Sequence, residues 1–258
     1  MQGENTEADF GYRRVGAAEK AGLVKGVFDR VADRYDLMND LMSGGIHRLW
    51  KGEFVDRVNP RPGERFLDVA GGTGDIAQRL LKRAGARPGP PPGPPTEIIL
   101  LDVNEAMLRR GRDRAIDANI FAGLDYIVGD AELLPIAPGT VDAYTIAFGL
   151  RNVTDIDAAL REARRVLKPG GRFFCLEFSH VAPTFLARAY DLYSFNILPA
   201  LGQVVAGDRE AYRYLVESIR RFPPQEELAA RMRAAGFDQV RHRDLTFGVA
   251  AIHSGWRL

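Results

Sequence analysis

From about residue 66 onward, short apolar runs alternate along the chain with segments whose apolar residues recur every three or four positions. The short runs predict buried strands, and the spaced patterns predict helices with one buried face. Alternation of this kind builds a mostly parallel sheet with helices on both faces, which is an α/β fold. The five predicted strands are, in chain order, ERFLDV, EIILLDVN, YIVGD, VDAYTIAFG and RFFCLEF.

The predicted helices follow the first, second and fourth of these strands. They are DIAQRLLKRAG, NEAMLRRGRDRAIDAN and DIDAALREARRVL, and KPGG is expected to end the last of them. Residues 86–96, after the first helix, contain six prolines and therefore predict a surface loop or local insertion. We expect a poorly ordered tail over residues 1–22 and a single domain, beginning with a helical cap, over residues 23–258.

The composition narrows the class of partner. Lys and Arg total 35 against 34 Asp and Glu, a net charge of +1, so bulk electrostatics do not favour nucleic-acid binding. Cys175 is the only cysteine and the four histidines lack metal-ligand spacing, so no metal site is predicted. The chain has no apolar run of about 18 residues and no evident targeting signal, and we expect a cytoplasmic protein that binds a small molecule.

The strongest chemical signal is LDVAGGTGDIA, residues 67–77, where a strand ends and a helix begins. Glycines at this place let the backbone approach a ligand closely, and Asp68, Gly72 and Gly74 form a D-x-x-x-G-x-G pattern. The same residues fit an ordinary tight turn, and they also satisfy the G-x-G-x-x-A form of a dinucleotide site. The glycines alone therefore leave the ligand open.

Acidic residues at the ends of the next two strands indicate which class of ligand the site binds. Asp102 ends the second strand, where its carboxylate can accept hydrogen bonds from both hydroxyls of a ribose. Asp130 and Ala131 follow the third strand, where a carboxylate and a backbone amide could frame an adenine edge. An isolated acidic pair such as Asp130 and Glu132 is more often a solvated turn. Three such strand ends in this order nevertheless indicate a ligand with an adenosine-like half.

These strand ends, together with LKPGG before the fifth strand, resemble those of the class I S-adenosylmethionine-dependent methyltransferases. The resemblance implies a Rossmann-like, mostly parallel seven-stranded sheet that closes with one antiparallel hairpin. DQVRHRDLTFG and VAAIHSGWRL would supply that hairpin. It also implies S-adenosylmethionine as the cofactor, held in part by Asp68, Gly72 and Gly74.

Three further segments narrow the resemblance to one family. They are VFDRVADRYDLMNDLMSGGIHRLWK (residues 27–51), AFGLRNVTDIDAALREARRVLKPGGRFFCLEFS (residues 147–179) and YRYLVESIRRFPPQEELAARMRAAGF (residues 212–237). These segments resemble the ubiquinone and menaquinone biosynthesis C-methyltransferases, and the likeness covers nearly everything from residue 24 onward. It places cofactor contacts on Thr73, Asp102, Asp130 and Ala131. Some members have a serine where this chain has Ala147, so that hydroxyl contact is missing here.

The same resemblance implies that Arg151, Asn152 and Tyr35 face the acceptor. C-methylation needs electron density on a ring carbon, which a hydroquinone provides best once an adjacent hydroxyl has become a phenolate. Arginine is effectively never deprotonated, so Arg151 is expected to stabilise that phenolate and its water and not to act as the base. Asn152 would hold the same oxygen or water, and Tyr35 would hydrogen-bond the ring oxygen. Without the resemblance, Arg151 would instead be assigned to an ion pair with Asp155 or Asp157.

The segment between the fifth strand and the next helix is unusually rich in aromatic and aliphatic residues over positions 184–207. Core packing explains many of these side chains, but a quinol with a polyprenyl tail needs an apolar groove. We therefore expect residues 184–222 to form a substrate cap that contains the tail channel and allows peripheral contact with a membrane. His47 and His180 are weaker candidates for catalysis, because a lone histidine is more often structural.

Two other functions remain open from the residues alone. An NAD-dependent oxidoreductase fits the glycine pattern, although the chain has no Tyr-x-x-x-Lys pair, and a non-catalytic scaffold subunit would keep the fold without the chemistry. The segment TIAFGLRNV resembles the ubiquinone-branch members of the family, and this resemblance implies 2-polyprenyl-6-methoxy-1,4-benzoquinol as the favoured acceptor, with demethylmenaquinol as a second substrate. A homodimer, or association with other quinone-biosynthesis enzymes, is also compatible with the sequence.

Overall fold

The structure is a computed structural model that describes residues 7–31, 40, 43–86, 95–180 and 209–258. Its centre is a seven-stranded sheet with the strand order β5-β4-β3-β6-β7-β9-β8. The bounds of the sheet strands are β3 Arg65–Val69, β4 Glu97–Asp102, β5 Leu124–Val128, β6 Val141–Ala147, β7 Leu167–Phe178, β8 Asp238–Leu245 and β9 Ala250–Trp256. The helices are α1 Ala17–Val31, α2 His47–Val58, α3 Asp75–Gly85, α4 Glu105–Asp117, α5 Ile156–Val166, α6 Arg209–Arg221 and α7 Gln225–Ala234.

Strands β3 to β7 pair in parallel, and β9 pairs antiparallel with both β7 and β8. The predicted fold class, including the closing hairpin, is therefore confirmed. Strand β4, which follows β3 in the chain, pairs with one edge of β3, and β6, which comes later, pairs with its other edge. The carboxyl ends of β3, β4 and β6 thus border a crevice, which is where open α/β sheets bind their ligands.

The central strands are buried on both faces, which explains their continuous apolar runs. Ile98 and Leu100 of β4 pack in one apolar cluster, and Ile99 and Leu101 pack in the other. One cluster is covered by α2 and α3, and the other by α5 and α7. Core packing on both faces fixes the register of the strands and so the positions of the residues at their carboxyl ends.

The chain start differs from the predicted poorly ordered tail. Residues Glu7–Phe10 (β1) and Arg13–Gly16 (β2) form an antiparallel hairpin, and α1 already begins at Ala17. The Phe10 ring stacks on Tyr214 of α6 with 4.3 Å between ring centroids, and the backbone N–H of Tyr12 donates to Glu217 at 3.0 Å. The prediction is thus wrong for residues 7–22. Two four-residue strands carry too little periodicity to be detected, and partners distant in sequence hold them in place.

The helix ends just before the KPGG segment, as predicted, but the fifth strand begins at Leu167 and not at Arg172, so it includes that segment. Helix α5 ends at Val166, and β7 runs without interruption from Leu167 through these residues. The backbone N–H of Gly170 donates to Arg257, and Arg257 donates back to the carbonyl of Gly171 at 2.9 Å. Pairing with the chain end therefore extends the strand through residues that locally favour a turn.

Several predicted features lie outside the described residues: Tyr35, most of the proline-rich segment, and residues 184–208 of the expected cap. None of the helices that the structure describes is long and apolar enough to cross a bilayer.

Candidate active site

The glycine loop connects β3 to α3 at the carboxyl edge of the sheet. Gly72 has a φ of +53°, a conformation that residues with a side chain rarely adopt. Gly71 approaches β4 so closely that an added Cβ would lie 2.8 Å from Leu100 Cγ. Glycine at these two positions keeps the loop backbone bare beside the crevice, which suits close approach by a ligand.

Asp102 holds this loop from the end of β4. Its Oδ2 accepts a hydrogen bond from the backbone N–H of Gly72 at 2.9 Å, and its Oδ1 accepts one from Asn104 at 2.8 Å. Burial raises the pKa of Asp102, while the N–H donors of Asn104, Gly72 and Val103 act in the opposite direction. Each carboxylate oxygen has lone-pair capacity for a further donor, so the residue can also serve ribose hydroxyls.

A cavity of about 330 Å³, here called the main cavity, lies beside this loop. Among the residues proposed to bind the cofactor, Gly72, Asp102, Asp130 and Ala131 line it, and so does Asn152. The structure thus brings these residues together around one space. The rest of the wall is largely apolar and includes Val24, Phe28, Val69, Leu101, Met107, Phe148 and Val153.

The loop after β5 is tied to the loop that carries Asn152. The backbone N–H of Glu132 donates to Asp130 Oδ1 at 2.9 Å, and Glu132 Oε1 in turn accepts from the N–H of Thr154 at 2.7 Å. Glu132 is therefore not a merely solvated turn residue. Its side chain connects the loop after β5 to the loop after β6, and both loops line the main cavity.

A second and much smaller space of about 30 Å³, here called the inner chamber, lies under the glycine loop. It is lined by Lys51, Asp68, Ala70, Gly71, Gly72, Thr73, Asp75, Ile76, Ala147 and Phe148. Thr73 borders this chamber and not the main cavity, and its hydroxyl accepts a hydrogen bond from Arg114 Nη1 at 3.0 Å. Three of the chamber's lining residues, Ala70, Gly72 and Phe148, also line the main cavity.

Asp68 is almost completely buried at the back of the inner chamber. Its Oδ1 accepts a hydrogen bond from the Thr145 hydroxyl at 2.7 Å, whereas Oδ2 has no hydrogen-bond partner in the part of the chain that the structure describes. Burial raises the pKa of Asp68 to about 7, against opposing contributions from the Thr145 hydroxyl and the Ala77 backbone N–H.

This shift predicts a pH dependence that Asp68→Asn should remove. The ordinary pKa is 3.8, so the folded protein holds the Asp68 proton more tightly than the unfolded chain does. The resulting stabilisation is complete below about pH 4 and is lost as the pH rises to about 7. The difference in free energy of unfolding, wild type minus Asp68→Asn, should fall by about 1.4 kcal/mol per pH unit in this range. Urea unfolding of the ligand-free proteins at pH 5, 6 and 7 measures it, and a flat difference would contradict the shift.

Arg151 occupies a short 3₁₀ helix, Leu150–Asn152, directly after β6. Its side chain is only 1% exposed, and Nη1 donates to both carboxylate oxygens of Glu177 at 3.1 Å and to the carbonyl of Phe148. Its Nε and Nη2 are buried and make no hydrogen bond to any described residue. The ion-pair partner is thus Glu177 on β7, and neither Asp155 nor Asp157.

The structure separates Arg151 from its neighbour in sequence. Asn152 lines the main cavity, and its Oδ1 accepts a hydrogen bond from the Tyr214 hydroxyl at 3.0 Å. Arg151 does not line that cavity and instead borders a cleft of about 500 Å³ on the side of the N-terminal hairpin. Burial raises the pKa of Glu177, an effect that Arg151 partly offsets. Of these two predicted site residues, only Asn152 lines the main cavity.

Sequence reasoning missed Glu177, Tyr214 and Lys51. A glutamate inside the apolar strand RFFCLEF is an available signal, because a buried carboxylate needs a partner. The two candidate histidines do not line the main cavity: His47 Nε2 pairs with Asp40 at 2.8 Å, and His180 Nε2 lies 3.0 Å from the carbonyl oxygen of Phe222. Within the described ranges, no group of three His, Cys, Asp or Glu side chains is placed to hold a metal ion.

The sheet order, the bare glycine loop and Asp102 together define the class I methyltransferase fold with a site that fits an adenosine-containing cofactor. The chain belongs to the ubiE/COQ5 methyltransferase family, whose model matches residues 15–257. The predicted enzyme class and the use of S-adenosylmethionine are thereby confirmed.

Two relatives illustrate how far this likeness extends. The ubiquinone/menaquinone biosynthesis C-methyltransferase UbiE of Dinoroseobacter shibae is 57% identical over 249 residues, which is 96% of each chain. The protein of the same name from Caulobacter vibrioides is 55% identical over 254 residues, covering 98% of this chain and 99% of its own. Among solved structures, a SAM-dependent methyltransferase of Thermotoga maritima covers 90% of this chain and 99% of its own, with a TM-score of 0.60 and 20% identity, and shows the fold.

Proposed function

We propose that this protein transfers a methyl group from S-adenosylmethionine to a ring carbon of a polyprenylated quinol in ubiquinone biosynthesis. The favoured acceptor is 2-polyprenyl-6-methoxy-1,4-benzoquinol, and demethylmenaquinol is a second substrate. The names of relatives more than half identical over nearly the full chain support the reaction type and both quinone branches.

The observation that carries the proposal is the main cavity itself. Asp102 and the backbone of Gly72 line it beside the glycine loop, while Asn152 lines it from the segment after β6. Most of the other lining residues are apolar, and Phe28 and Phe148 offer aromatic surfaces. A ring with a hydrocarbon tail suits such a wall, and a single amide is suited to orient one ring oxygen.

Bound S-adenosylmethionine supplies an electrophilic methyl group. The chain must make the acceptor carbon electron-rich by favouring ionisation of the neighbouring ring hydroxyl. Asn152 can contact that oxygen, since it lines the cavity and Tyr214 fixes its amide. The charge of Arg151, the next residue back along the chain, is paired with Glu177, but its Nε and Nη2 donate to no described residue, so we propose that they stabilise a negative charge on the oxygen through a bridging water. Tyr35 is proposed to complete this contact set.

The segment 184–222 is proposed to cover the acceptor and to guide its tail, with peripheral contact to the membrane where such quinols dissolve. Arg209–Arg221, the described helical part of this segment, contributes Tyr214, which binds Asn152. This hydrogen bond joins α6 to the site and therefore supports the proposed cap. We also propose that the protein forms a homodimer or associates with other quinone-biosynthesis enzymes.

The test supplies purified protein and S-adenosylmethionine with short-tailed benzoquinol and demethylnaphthoquinol acceptors kept reduced. Mass spectrometry should find one added methyl on carbon, with the benzoquinol methylated faster. Calorimetry with S-adenosylhomocysteine and NAD serves as the control for the alternative functions. Binding of NAD alone would indicate an oxidoreductase, and binding of neither ligand would indicate a scaffold. A second test uses a strain that lacks the protein and identifies the quinone precursor that accumulates. Accumulation of a precursor unrelated to the proposed quinol would contradict the proposed acceptor.

A further inference from the structure

The side chain of Asn152 is held from outside the main cavity by a tyrosine. Asn152 is half-buried and lines the cavity, and its Oδ1 accepts a hydrogen bond from the Tyr214 hydroxyl at 3.0 Å. Tyr214 lies on α6, is only 5% exposed and does not line the cavity itself. It can therefore affect a ligand in the main cavity through Asn152.

The hydrogen bond determines which side of the Asn152 amide is left for a ligand. An amide oxygen only accepts hydrogen bonds, and an amide nitrogen only donates them. Because the oxygen faces Tyr214, the N–H groups of Nδ2 point away from it, and they donate to no described residue. Burial raises the pKa of the Tyr214 hydroxyl, although the charge of Arg151 opposes the shift. The hydroxyl therefore stays protonated and remains a donor to Asn152.

The N-terminal hairpin holds the ring of Tyr214 in place. Phe10 stacks on this ring with an angle of 19° between the two planes, and the backbone N–H of Tyr12 donates to Glu217 on the same helix. Gly11, between these two residues, has a φ of +59°, and a side chain there would collide with Glu217. The hairpin thus packs closely on α6 at the turn that carries Tyr214.

A hydrogen-bond donor beside the ring oxygen of the acceptor favours the phenolate over the neutral hydroxyl, because hydrogen bonds to a charged oxygen are stronger. An amide oxygen in the same place would instead stabilise the hydroxyl. We propose that Tyr214 is a positioning residue for methyl transfer, which keeps Asn152 Nδ2 turned toward the ring oxygen. This assignment rests on the proposed function, and it adds the N-terminal hairpin to the elements that shape the acceptor site.

Tyr214→Phe should lower the rate of methyl transfer by about ten-fold and leave the affinity for S-adenosylhomocysteine within about two-fold of wild type. The ring can still stack on Phe10, but the Asn152 amide loses the bond that orients it, and one neutral hydrogen bond is worth up to about ten-fold in rate. Single-turnover kinetics with the reduced short-tailed benzoquinol measures the rate, and calorimetry measures the affinity of the folded variant. Tyr12→Phe, which removes an exposed hydroxyl from the same hairpin, is the matched control and should keep the wild-type rate.

Three further readouts separate positioning of the amide from general support of the fold. The deficit of Tyr214→Phe should shrink as the pH approaches the acceptor's own ionisation, because the phenolate then forms without a donor. Adding Tyr214→Phe to Asn152→Ala should slow the enzyme by less than about two-fold further, since the residue through which Tyr214 acts is already gone. Asn152→Asp keeps an oxygen for Tyr214 but places a negative charge where Nδ2 stood, so it should be slower than Asn152→Ala.

Four results would contradict the assignment. A deficit of Tyr214→Phe that stays constant with pH, or that adds fully to the deficit of Asn152→Ala, would mean that Tyr214 supports the fold and not the amide. Faster turnover by Asn152→Asp than by Asn152→Ala would mean that the amide oxygen faces the acceptor. A wild-type rate in Tyr214→Phe would overturn the assignment and leave the proposed function intact. Wild-type protein that methylates neither quinol would overturn the proposed function, and this assignment with it.

Discussion

Arg151→Ala should lower the rate of methyl transfer by about a hundred-fold or more and leave the affinity for S-adenosylmethionine within about three-fold of wild type. The rate loss is the size typical of removing one group that stabilises a developing oxyanion. The affinity should survive because Arg151 lines neither the main cavity nor the inner chamber. Single-turnover kinetics measures the rate, and calorimetry measures the donor affinity.

Because Arg151 forms a buried ion pair with Glu177, the Arg151→Ala experiment needs controls for a loss of stability. Removing Arg151 alone leaves Glu177 buried without its cation, which costs about 3–5 kcal/mol of stability in comparable pairs. The double variant Arg151→Met with Glu177→Gln removes both charges, so it should recover much of that stability and remain slow. Arg151→Lys should rescue the rate only in part, since an ammonium replaces a planar fork. Arg161→Ala, on the exposed surface of α5, is the matched control.

The pH dependence separates the catalytic from the structural explanation of Arg151. If Arg151 favours the phenolate, the deficit of Arg151→Ala should shrink as the pH approaches the acceptor's own ionisation, because the phenolate then forms without help. A deficit that stays constant with pH while chemistry limits the rate would make the arginine structural. Loss of donor affinity in this variant would lead to the same conclusion.

The sheet and the cofactor side of the site could be predicted because their signals are local. The strand runs, the glycines of residues 71–74 and the acid at the end of β4 each lie within a few residues of the feature that they define. Parallel pairing then brings the strand ends to one edge whatever the loops between them do. This is why Asp102, Asp130 and Ala131 meet around the main cavity as expected.

The acceptor side was harder to predict because its contacts join residues that are distant in sequence. Arg151 meets Glu177 only because β6 and β7 pair in a register that places Ala147 beside Leu176. Asn152 meets Tyr214 only once α6 packs against this edge of the sheet. No residue pattern near AFGLRNVTD specifies either partner. The sequence therefore makes Arg151 a candidate site residue without indicating that its guanidinium pairs with Glu177 outside the main cavity.

Asp102→Ala should weaken the binding of S-adenosylmethionine by about ten- to a hundred-fold. Two charge-assisted hydrogen bonds to a ribose contribute on the order of 1.5–3 kcal/mol, which converts to that range of affinity. Titration calorimetry on the folded variant measures the loss. Asp125→Ala, which removes an exposed carboxylate from β5, is the matched control and should bind normally.

Asp102 also accepts the backbone N–H of Gly72, so a weaker affinity alone does not separate ribose binding from support of the glycine loop. Analogues of S-adenosylhomocysteine that lack the 2′- or 3′-hydroxyl resolve the two roles. Each missing hydroxyl should weaken binding to the wild type by several-fold and have almost no further effect in Asp102→Ala, because the partner of that hydroxyl is already gone. If the loss from the missing hydroxyl and the loss from Asp102→Ala add fully, Asp102 supports the loop without contacting the ribose. If Asp102→Ala leaves the donor affinity unchanged, the ribose binds elsewhere.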